Sequence, residues 1–162
     1  MGEVDEFLSS MLPTIHEMDV AFHNGDVGPR ERIWSHNDPV TLFGAVFTRS
    51  GWNEVAPAFD FLTSRFSDCE SFEYEVIAAG ASCDLAYIVG IERTKASVGG
   101  APATYALRVT TIFRREGGAW KIVHRHADSV PDDGAPRGWG NPLPTPRRSS
   151  RTRGSGYEEE KA

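Results

Sequence analysis

The sequence predicts an α+β domain over residues 1–130, with helices packed on one face of a mainly antiparallel sheet. Two observations carry that expectation. Apolar residues recur every three or four positions up to about residue 66, then every second position from about residue 71. Glycine-containing turns separate the last three alternating runs, which is the pattern of an antiparallel meander.

The first stripe is Phe7, Leu8, Met11, Leu12, Ile15, Met18 and Phe22, a helix over 3–24 that Asn24-Gly25 stops. Asp26 is placed to cap a short second helix carrying Pro29 in its first turn and ending near Trp34. Residues 39–43 (Pro-Val-Thr-Leu-Phe) predict a short strand ended by Gly44. Ser50 is the expected cap of a third helix with the stripe Trp52, Val55, Phe59, Leu62 and Phe66, which Pro57 shortens or bends. Strands follow at about 71–78, 85–94, 104–115 and 120–128. From residue 131 to 162 the composition turns to Pro, Gly, Ser and charge without apolar periodicity, which predicts a disordered tail. Within it, Trp139 is the residue able to tuck onto the domain, and Arg147, Arg148, Arg151 and Arg153 surround Ser149-Ser150 as a basic patch or a solvated stretch.

Charge and cysteine content exclude several function classes. Up to Pro131 there are 11 Lys/Arg and 18 Asp/Glu, a net of -7; beyond it 6 and 5 give +1. A domain that acidic does not suit a nucleic-acid backbone, so no nucleic-acid partner is expected. No apolar run reaches the roughly 18 residues of a membrane span. The acidic start MGEVDEFLSS lacks the features of an export signal, so the expected location is cytoplasmic, with Cys69 and Cys83 as reduced thiols. No P-loop, dinucleotide fingerprint or nucleophile elbow is present, and no cofactor is predicted.

Strand pairing then suggests a site. A turn at 116–119 that sets Arg114 opposite Trp120 places Thr110 by His124 and Arg108 by His126, and the 98–102 turn sets Glu92 near Arg108. Glu92, Arg108, Thr110, His124, His126 and Asp128 then share one face, and Tyr87, Val89, Ile91, Val109, Thr111, Phe113 and Val123 the other. A face apolar at one end, with Glu, Arg and two His at the other, resembles a small-molecule pocket. His126 is the candidate general acid or base, Arg108 the group that holds a developing oxyanion, and Glu92 the residue that orients Arg108. The alternative is structural, with Glu92 and Arg108 a buried ion pair and the histidines hydrogen-bond partners. His124, His126 and Asp128 also have strand spacing suited to metal ligation, but with no fourth ligand candidate no metal is predicted. Trp34 and His36, at the junction of the second helix and first strand, are further candidates for lining the cavity; core packing for Trp34 and loop exposure for His36 are the alternatives.

The element order, the ending Trp120-Lys121-Ile122-Val123-His124-Arg125-His126, the run Asp38 to Gly44, Gly51-Trp52 and Ala106 to Thr110 together resemble the NTF2-like superfamily, in its SnoaL-like and ketosteroid-isomerase-like branch. The likeness covers about residues 3–130. It implies a cone-shaped curved sheet wrapped by three N-terminal helices, a pocket inside the cone and a homodimer formed through the sheet. It also implies a cofactor-independent isomerase, cyclase or lyase acting on a small organic molecule, or a non-catalytic binding or oligomerisation module of the same fold.

Overall fold

The computed structural model describes residues 2–131. The tail, with Trp139 and the arginine cluster, lies outside the described residues. The described chain runs α1 (Glu3–Phe22), α2 (Gly28–Ile33), β1 (Thr41–Phe43), β2 (Thr48–Ser50), α3 (Trp52–Thr63), β3 (Phe66–Ser82), β4 (Leu85–Val98), β5 (Ala101–Glu116) and β6 (Ala119–Ser129). Three helices precede four long strands, as the change of period from 3.6 to 2 predicts.

Two local details differ from the sequence reading. Ser50 belongs to β2, an unpredicted strand antiparallel to β1, and not to a helix cap. Gly51, at φ 87°, makes the turn into α3 in a conformation that side chains disfavour, and Asp38 Oδ1 accepts the Trp52 N–H at 2.9 Å. The long strands also extend three to five residues further at several ends, because paired neighbours continue the ladder past the point where alternation fades.

The six strands form one curved sheet in the order β2-β1-β6-β5-β4-β3, antiparallel except where β1 runs parallel to β6. Bulges set the curvature. Register shifts interrupt β3 between Ser67 and Ser71 and between Val76 and Ala78. Opposite the second shift, Gly90 faces the interior. A Cβ there would lie 2.7 Å from the Tyr74 ring and overlap the Glu75 carbonyl, so only glycine lets the two strands close at that bend.

The concave face packs on α1, α2 and α3. Phe7, Met11, Ile15, Met18 and Phe22 from α1 meet Val55 and Phe59 from α3, and Phe72, Ile88, Phe113 and Ile122 from the sheet. Phe113 and Phe59 are fully buried.

The pairing of β5 with β6 corrects the predicted faces. The hairpin pairs Arg115 with Trp120 and Arg114 with Lys121, one residue from the expected register. A bulge then opposes Phe113 to Ile122 but Ile112 to His124, leaving Val123 as the extra residue. Past it, Thr110 pairs with His126 and Arg108 with Asp128. Glu92 pairs with Leu107, so Arg108 sits opposite Ile91. Because side chains alternate, Glu92 points inward while Arg108, Thr110, His124, His126 and Asp128 point outward. Val109, Thr111 and Phe113, expected on the exposed face, are buried. Val123 packs against the core, and only Tyr87, Val89 and Ile91 of that predicted patch lie on the outer face.

Candidate functional site

A cavity of about 340 Å³ opens between the concave face of the sheet and the helices. Its walls are apolar and rich in aromatics: Phe22, Leu42, Phe47, Phe59, Phe66 and Leu107. The β1–β2 loop (Gly44, Ala45, Val46) and the end of α3 (Phe61, Leu62, Arg65) form the mouth. Val46 and Phe61 are more than half exposed there. The polar part of the lining comes from three parts of the chain: Asp19, His23 and Arg30 from the helices and their ends, Glu92 and Thr94 from β4, and Tyr105 and Arg125 from β5 and β6. This is the composition of a small-molecule site, a mostly apolar space with a few convergent polar groups.

Two ion pairs build that polar lining. Arg125 reaches across β5 to Glu92 with two parallel bonds, Nη1 to Oε1 at 2.7 Å and Nη2 to Oε2 at 2.6 Å. Both residues are buried, so the pair must offset a desolvation penalty of several kcal/mol per ion, and its bidentate geometry provides for that. Burial works against the Glu92 charge, yet Arg125 holds its carboxyl below the usual range. Arg30 and Asp19 form the second pair through one bond, Nη2 to Oδ1, with the guanidinium lying 3.8 Å over the Phe22 ring. Here burial prevails over Arg30 and pushes the Asp19 carboxyl up to about 6. The contrast has a structural cause, since Glu92 has both oxygens served and Asp19 only one.

His23 and Tyr105 complete the group. The Nδ1 of His23 lies 2.7 Å from the Asp19 backbone carbonyl, which can only accept, so Nδ1 carries the hydrogen. Burial pushes the His23 pKa down to about 4, so the ring is neutral at pH 7 and Nε2 presents a lone pair. Tyr105 Oη donates to that nitrogen. Burial raises the tyrosine pKa, which keeps the phenol protonated. The result is a neutral base and a weak acid in direct contact beside an apolar cavity.

The residues singled out from the sequence divide between two faces. Glu92 borders the cavity. Arg108, Thr110, His126 and Asp128 line a shallow groove of the outer face with Ile77, Val89 and Ile91. There Arg108 holds Asp128 through two bonds at 2.8 and 2.9 Å, which depresses the Asp128 pKa. His124 Nδ1 lies 2.7 Å from Thr41 Oγ1, and Phe43 packs its edge against both His124 and His126. Glu92 therefore orients Arg125 and not Arg108. Trp34 is fully buried against Phe59, behind the cavity wall. His36 is exposed, stacked on Trp52 at 3.9 Å, with Nε2 donating to the Glu31 carbonyl. Among the described residues no cluster of three or more metal-ligating side chains is present.

Asp19, His23, Arg30, Tyr105 and Arg125 were not anticipated. For Asp19 and His23 a signal was available, because they sit four and eight positions after Ile15 on the buried stripe of α1, where an acid and a histidine are out of place. Arg125 was concealed by the bulge at Val123, which reverses the inward phase of β6.

A family model described as SnoaL-like domain matches residues 13–133. Among solved structures, the chain is similar to an NTF2-like superfamily protein from Salmonella enterica (TM-score 0.64, 12% identity, 81% of this chain and 96% of that one). It is also similar to a proposed dehydratase of the NTF2-like family from Streptomyces avermitilis (TM-score 0.63, 18% identity, 78% and 97%). A third is a proposed calcium/calmodulin-dependent protein kinase type II association domain from Thiobacillus denitrificans (TM-score 0.56, 17% identity, 73% and 93%). No curated protein matches the chain.

Proposed function

The chain belongs to the SnoaL-like domain family of the NTF2-like superfamily, and from that premise we propose that its cavity binds a small, largely apolar organic molecule and moves a proton within it. The reaction is of isomerase, cyclase or lyase type, without a cofactor. The observation that carries this reading is the contact between neutral His23 and protonated Tyr105 at the cavity wall. A proton leaving an acidic C–H or O–H of the ligand passes to Tyr105 Oη as the phenolic proton passes to His23 Nε2. The imidazolium so formed is favoured by the Glu92 carboxylate, and the reverse transfer returns a proton to another atom of the product. The two guanidiniums hold the carboxylates in place, and the apolar walls exclude water, which strengthens every charge interaction inside.

A non-catalytic binding module would use the same cavity. It is favoured by one observation, that Arg125 and Glu92 satisfy each other fully and leave neither charge for a ligand. We place the molecule in the cytoplasm, where the exposed free thiol of Cys83 stays reduced. We also propose a homodimer through the outer face, where Ile77 and Tyr87 stand exposed beside Val89 and Ile91.

The test uses N-phenyl-1-naphthylamine, a neutral apolar fluorophore. Wild type is expected to bind it, and Ala127→Phe, which fills the cavity from a buried wall position, to lose that binding while keeping its circular dichroism. Undiminished binding by Ala127→Phe would put the site elsewhere. Catalysis is separated from binding by Tyr105→Phe and His23→Gln: for a substrate identified by native mass spectrometry of the purified protein, turnover falls and affinity persists.

A further inference from the structure

We infer that the ligand of this cavity is an alcohol, an otherwise apolar molecule whose hydroxyl hydrogen is accepted by Oδ2 of Asp19. The inference rests on the reading of the cavity as a small-molecule site and adds the class of molecule. Asp19 Oδ2 is buried and has no hydrogen-bond partner among the described residues. Buried polar atoms without a partner are few in folded proteins, and each calls for a reason. Arg30 Nε, Trp34 Nε1 and Tyr74 Oη are also unpartnered; all three residues border a second void of about 10 Å³, on the scale of one water, and Arg30 borders the large cavity as well. Asp19 does not border that void. It borders the large cavity, one helical turn before His23.

The chemistry of the site narrows what fits. An ionised carboxylate oxygen only accepts, so its missing partner is a donor. The charges around it already balance, Asp19 against Arg30 and Glu92 against Arg125, so an ammonium would add an uncompensated charge beside two guanidiniums. A neutral donor remains. A hydroxyl group on an apolar frame meets both demands, because the frame fills the aromatic walls and the O–H meets the carboxylate. Burial pushes the Asp19 carboxyl up to about 6 against the pull of Arg30, and a second donor would lower it.

Three probes of matched shape test this by displacing N-phenyl-1-naphthylamine from the full-length chain: 2-naphthalenemethanol, 2-methylnaphthalene and 2-(methoxymethyl)naphthalene. The alcohol is expected to bind about tenfold or more tighter than the hydrocarbon, the low end for a hydrogen bond to a charged acceptor. The ether, which has the oxygen but no hydrogen to donate, is expected to bind no better than the hydrocarbon. In the paired variant Asp19→Leu with Arg30→Met, which removes both charges together, the preference for the alcohol disappears. If all three bind wild type equally, or the ether matches the alcohol, the inference fails and the cavity reading stands. A preference that survives in a folded paired variant also overturns it. If none displaces the fluorophore, the cavity reading itself fails.

Discussion

Replacing His23 with Gln probes the feature on which the proposed chemistry depends, a histidine held neutral. In the folded chain burial lowers its pKa from 6.5 to about 4, and the ring is fixed between the Asp19 carbonyl and Tyr105 Oη. The unfolded chain takes up its proton near pH 6.5, whereas the folded chain resists it down to about pH 4. The contribution is therefore fully present above 6.5 and is lost as pH falls through that window. At ~1.36 kcal/mol per pKa unit, the displacement corresponds to roughly 3 kcal/mol of stability. Asp19 works in the opposite sense. Its folded pKa of about 6 lies above the ordinary aspartate value of 3.8, so it returns stability as pH falls from about 6 toward 3.8. That contribution is common to wild type and His23→Gln, and it largely cancels in their difference. Urea unfolding of both proteins at steps from about pH 7.5 to about pH 4 gives the difference curve. Wild type should lose roughly 3 kcal/mol relative to the variant over that range. A difference that stays flat within about 1 kcal/mol would mean that His23 titrates as an exposed histidine does, and the neutral base would have to be abandoned.

Glu92→Gln leaves the Arg125 guanidinium buried without its counter-charge and should cost about 3–5 kcal/mol in urea unfolding, whereas Glu92→Leu combined with Arg125→Met should recover most of that loss. A single-substitution cost below about 1 kcal/mol would show that water reaches the pair. For assembly, Ile91→Arg puts a charge on the outer face and is expected to split a dimer into folded monomers in sedimentation at micromolar protein, while Val109→Arg, at a buried interior position, should unfold the chain. A wild type that sediments as a monomer removes the dimer proposal.

The three helices and the antiparallel meander were legible in the sequence because they depend on local rules. Helical spacing in α1, period-two alternation in β4 to β6 and the paired glycines at 99–100 and 117–118 each act within a few residues of one another. Which face of the sheet holds the cavity was decided by features without a local signature. A hairpin one residue out of the expected register and a single bulge at Val123 carried Arg125 inward and turned His124 and His126 outward. The sequence determined that His-Arg-His would lie on a strand, but not which of the three would be buried. Glu92 borders the cavity, yet its partner came from β6 and not from the neighbouring β5 strand. The Asp19, His23 and Arg30 cluster depends on α1 crossing the concave face, and only tertiary packing brings those side chains to Tyr105, 82 residues further along from His23. Burial then sets their chemistry. The same acid or histidine in an exposed helix would keep its ordinary pKa, and the desolvation that shifts both toward neutral forms exists only once the sheet has closed over them.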